Sequence, residues 1–63
     1  MNKEEILTLA IREEYLDLLN TGINKWQLVS EEETEAHKAL KKAIIEYRKI
    51  LLEILKNNID ITV

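Results

Sequence analysis

Within Thr21-Gly22-Ile23-Asn24-Lys25-Trp26-Gln27-Leu28-Val29-Ser30-Glu31-Glu32-Glu33 one helix is expected to end and another to begin. Gly22 is the only glycine of the chain, and it stands where a left-handed helix C-cap is expected. From Ile23 to Val29 there is no clear period, which reads as a connecting loop. Ser30 followed three residues later by Glu33 forms a capping box, in which each side chain satisfies a backbone N–H of the opening turn. Glu31, Glu32 and Glu35 add negative charge at the positive end of the helix dipole.

The strong helix formers before Gly22 predict a first helix over about 3–20, with a loop at 21–29. Beyond Ser30 no breaker appears until Asn57-Asn58, so a second helix is predicted over about 30–57, with a tail at 58–63. At ~1.5 Å per residue the second helix is roughly 40 Å long and the first roughly 27 Å. The alternating, β-branched Ile59-Asp60-Ile61-Thr62-Val63 suits an extended tail. The expected fold is all-α: an antiparallel two-helix hairpin with a short helix one and a long helix two.

The apolar pattern asks for more neighbours than a lone hairpin supplies. In helix two, Ala36, Leu40, Ala43, Tyr47, Ile50 and Ile54 recur at spacings of four and three, the seam of coiled-coil-like packing, flanked by Ile44, Leu51 and Leu55. Ile45 and Leu52 lie on roughly the opposite side. In helix one, Leu7, Ile11, Tyr15 and Leu18 share a face, and Ile6, Leu9, Leu16 and Leu19 spread over the remainder. Folded back from the loop, a helix one of that length covers helix two only to about Arg48. Ile50, Leu51, Ile54 and Leu55 are then expected to self-associate, and the simplest closed solution is a homodimer forming a four-helix bundle.

Composition points the same way. At 63 residues, with no cysteine and one histidine, the chain has neither disulfides nor thiolate metal ligands to supplement a small core. One third of the residues are charged, proline is absent, and the net charge is −3. That balance favours a folded chain and argues weakly against general nucleic-acid binding. No apolar run approaches the ~18 residues a bilayer span needs, and the acidic start lacks a signal-peptide core, so a cytoplasmic location is expected.

No residue pattern demands catalysis, a cofactor or a metal. Glu33 and His37 share a helical face, but the Glu-x-x-His pairs of di-metal bundles are absent, and His37 reads as the edge of a stripe. Glu4, Glu5, Glu13, Glu14 and Asp17 read as a solvated face, with no pocket expected to tune them for acid–base work. Tyr15 and Tyr47 read as core residues whose hydroxyls reach water. Trp26 is expected to close the end of the core beside Leu19 and Ile23, or to act as an interface anchor.

The leading expectation is a non-enzymatic regulatory or adaptor protein that binds another protein through a helical face, with Ile45 and Leu52 at the centre of the contact and Trp26 adding an anchor. Richness in isoleucine, lysine, asparagine and glutamate suggests a low-GC bacterium, phage or mobile element, which favours an inhibitor of a host protein. One alternative is a nucleic-acid-binding dimer using Lys38, Lys42, Lys49 and Lys56 on one side of helix two. The other is a structural subunit whose apolar faces meet copies of itself.

Overall fold

A computed structural model describes residues 1–59. Two helices, α1 (Lys3–Ile23) and α2 (Glu31–Ile59), pack against each other, and no strand occurs among the described residues. No described helix is long and apolar enough to cross a membrane.

Both helices begin on reciprocal side-chain caps, a full capping box at α1 and a shifted one at α2. The Ser30 hydroxyl accepts from the Glu33 N–H at 3.1 Å, while the Glu33 carboxylate reaches one residue further back than expected and accepts from the Val29 N–H at 2.8 Å. Asn2 and Glu5 form a second box, with the Asn2 side chain accepting from the Glu5 N–H at 2.8 Å and Glu5 from the Asn2 N–H at 3.3 Å.

The far ends run longer than the sequence suggests. Gly22 lies inside α1 and adopts no positive φ; the helix continues to Ile23 and ends at Asn24, whose conformation is still right-handed. The cause is packing: Ile23 is the most deeply buried of the described side chains, at 1% exposure, and one further helical turn places it there. Likewise α2 continues through Asn57 and Asn58, and the Asn58 amide donates to the Ile54 carbonyl at 2.8 Å. Of the tail expected over 58–63, Asn58 and Ile59 are helical, and the rest lies outside the described residues.

The hairpin closes along two heptad rows. On α1 the buried and half-buried residues include Ile6, Leu9, Glu13, Leu16, Asn20 and Ile23; on α2 they include His37, Lys41, Ile44, Arg48, Leu51, Leu55 and Asn58. Spacings alternate between three and four in both rows, the repeat that keeps a seam facing its partner. The α2 row lies one residue beside the Ala36–Leu40–Ala43–Tyr47–Ile50–Ile54 seam expected from the sequence, and it is the more polar of the two.

Its polar members find partners across the seam. The Ile23 carbonyl, which can only accept, takes a hydrogen bond from His37 Nε2 at 2.6 Å, so that nitrogen carries a proton. Arg48 pairs with Glu13 at 2.6 Å and with Asp17 at 3.3 Å. Among the described residues the apolar core is Ile23, Ile44, Leu51 and Leu55, each contributing about 1.5–3 kcal/mol by leaving water. Four such side chains make a thin core.

The register corrects the expected reach of α1. Ile6 stands two helical turns before Glu13, and Leu55 two turns after Arg48, so the Glu13–Arg48 pair brings the start of α1 level with Leu55. Seven loop residues carry the chain past the first turn of α2 before pairing begins near His37. Leu51 and Leu55 are therefore covered within the hairpin and do not wait for a second copy.

Candidate interaction surfaces

With the polar seam folded inward, the richer apolar rows face out. Leu40, Tyr47 and Ile50 on α2 and Leu7, Ile11, Tyr15 and Leu18 on α1 are all exposed, Tyr15 at 72%. Both tyrosines, expected in the core, are thus on the surface. Of the four residues expected to drive self-association, Ile50 is exposed, Ile54 is half-buried, and Leu51 and Leu55 are inside.

These exposed residues fall into three faces. The first belongs to both helices. Trp26, Ala36, His37 and Leu40 line one cleft with Glu33; Arg12, Tyr15, Leu16 and Tyr47 line another that bridges α1 and α2. Because Leu40 and Tyr47 are seven residues apart on α2, the two clefts lie along one side of the hairpin. Trp26 does not close the core beside Leu19 and Ile23: it is 58% exposed, with its ring centroid 6.1 Å from that of His37, at the loop end of this face.

The second face is the open cleft of about 390 Å³ formed by Ile45, Arg48, Lys49, Leu52, Glu53 and Lys56. Two residues of helix rotate by about 200°, so Ile45 points roughly 160° away from Tyr47, and this cleft occupies the other flank of α2. Ile45 and Leu52 supply its apolar floor and are each about half exposed. Arg48 is held to one side by Glu13 and Asp17, and the Glu13 hydrogen bond is the main reason its guanidinium is held above the usual pKa of that group.

The lysine row is less uniform than its spacing suggests. Lys38 pairs with Glu35 at 3.5 Å on open surface, a contact worth little. Lys49 and Lys56 share the second face with Glu53, and Lys42 is exposed beside it. Acidic residues thus interrupt the row that phosphate binding would use. Among the described residues no group of three or more His, Cys, Asp or Glu side chains is placed to hold a metal ion.

The third face is the Leu7–Ile11–Leu18 stripe on α1, turned away from α2. No family model, curated protein or solved structure matches this chain. All three faces offer apolar floors and few fixed charges, and their described residues bring together no nucleophile, acid and base.

The Arg48–Glu13–Asp17 cluster had no signal in the linear sequence beyond two acids one helical turn apart. The Asn2–Glu5 box did have one, the same spacing that marks Ser30 and Glu33.

Proposed function

We propose that this chain is a non-enzymatic interaction protein: a helical hairpin that pairs with a second copy into a four-helix bundle and docks another protein on α2, acting as an adaptor or inhibitor that bridges or blocks its target. The observation that carries the docking site is the cleft over Ile45 and Leu52, where two half-exposed apolar side chains two turns apart are rimmed by Lys49, Lys56 and Glu53. An apolar centre with a polar rim is the anatomy of a protein–protein contact.

The test compares wild type and Leu52→Glu, both immobilised and offered the same cell extract, with helicity and mass in solution followed for each. A partner held by wild type and lost by a folded, equally associated Leu52→Glu supports the site. The same partner held equally by both removes it.

The Leu7–Ile11–Leu18 stripe favours a second reading, a structural subunit, because the Leu40–Tyr47 side reaches α1 at Tyr15 and leaves the rest of the stripe open. That reading expects assemblies larger than a dimer, and substitution of Ile11 by Glu would cut them back to one.

A further inference from the structure

We infer that the side of the hairpin running from Trp26 through Leu40 and Tyr47 to Ile50 is where a second copy of this chain docks, a site distinct from the Ile45–Leu52 cleft. The inference rests on the self-associating reading above and names its face.

The area fits. A compact monomer of 7.4 kDa exposes about 4,200 Å² by the usual scaling, whereas this chain exposes 5314 Å², an excess of roughly 1,100 Å². A standard interface removes about 800 Å² from each partner.

The pattern fits as well. Ala36, Leu40, Ala43, Tyr47, Ile50 and Ile54 keep the alternating four–three spacing that packs one helix against another, and Tyr15 widens the side onto α1. A face spread over two helices matches the footprint of a second hairpin better than that of a single peptide.

Charge separates this side from the opposite flank. A two-fold contact sets one patch against its own image. On the Leu40–Tyr47 side the lining charges are Arg12 and Glu33, of opposite sign. On the Ile45–Leu52 side Lys49 and Lys56 outnumber the single acid Glu53, Arg48 being held by Glu13, so a second copy would set a net positive patch against its own image. The first side therefore suits a copy of this chain, and the second suits a partner of different charge.

The experiment measures mass by light scattering across a dilution series for wild type, Ile50→Glu and Leu52→Glu, with helicity followed throughout. Expected are dimers for wild type and Leu52→Glu, and association weakened at least roughly hundredfold for Ile50→Glu, since each interface would bury two unpaired carboxylates. Trp26 emission supplies a readout that needs no variant: dilution of the wild type shifts it to the red as the rings return to water. A dimeric Ile50→Glu, a monomeric Leu52→Glu, or a Trp26 emission that ignores dissociation overturns the face and leaves self-association standing. A wild type that is monomeric at every concentration overturns both.

Discussion

Arg48 donates to a single oxygen of Glu13 through both Nη2, at 2.6 Å, and Nε, at 2.9 Å, tying the middle of α2 to the middle of α1. Both side chains are largely withdrawn from water, and Asp17 adds a contact from the more exposed side. Polar residues within an apolar seam fix register, because any slip strands them without partners.

Removing both members should therefore hurt less than the two single losses combined. Arg48→Leu leaves Glu13 facing an apolar neighbour, and Glu13→Leu leaves Arg48 with Asp17 alone. Each is expected to lower the thermal midpoint by several degrees, and the double variant to fall by less than the sum of the two. Melts followed by circular dichroism decide the matter: additive losses would mean that the pair is not coupled.

Asn20 sits in the same seam with an opposite consequence. Its side-chain oxygen is buried and accepts no hydrogen bond from the described residues. An unpaired buried polar group costs about 1–3 kcal/mol, so Asn20→Leu is expected to stabilise the hairpin. A gain of ~1 kcal/mol raises the midpoint of so small a domain by ~4–8 °C. A lowered midpoint would show that the oxygen is satisfied by ordered water.

The two flanks of α2 should respond differently to truncation. Leu51 is enclosed between the helices, and Leu51→Ala is expected to cost about 2–5 kcal/mol. That is comparable with the entire stability of a chain this size, about 3–9 kcal/mol. Ile45→Ala, on the open cleft, should stay within about 0.5 kcal/mol. Urea titrations of the two variants at one protein concentration test the contrast, and equal losses would contradict the burial of the seam.

The helices and their order were legible in the sequence because the Ser30–Glu33 box and the unbroken run beyond it are local signals. The inward face was not. Two heptad rows lie one residue apart on α2, and the row of Leu40, Tyr47 and Ile50 is the more apolar, so pattern alone chooses it. The row that folds inward carries His37, Lys41 and Arg48, and is chosen because α1 answers it with the Ile23 carbonyl and Glu13. Those partners are 14 and 35 residues away, beyond the reach of any local pattern. The same displacement moved the candidate sites. Leu51 and Leu55 went inside, Tyr15 and Tyr47 came out, and Ile45 with Leu52 stayed where their spacing placed them.

Gly22 offers the sharpest test of the backbone, since the two readings of it differ in sign. As a left-handed cap it would resist substitution, because any side chain there is strained and Gly22→Ala would destabilise. In the structure it is a helical residue without positive φ, and a methyl group added at its Cα meets nothing within 4 Å. Glycine in a helix is less favourable than alanine by about 0.8–1 kcal/mol. Gly22→Ala is thus expected to raise stability by close to that amount, reduced somewhat by its place in the last turn. The substitution adds no contact to any of the three exposed faces, so association should be unchanged. A destabilised Gly22→Ala would return the end of α1 to Asn20, withdraw Ile23 from the core, and with it the carbonyl that His37 holds.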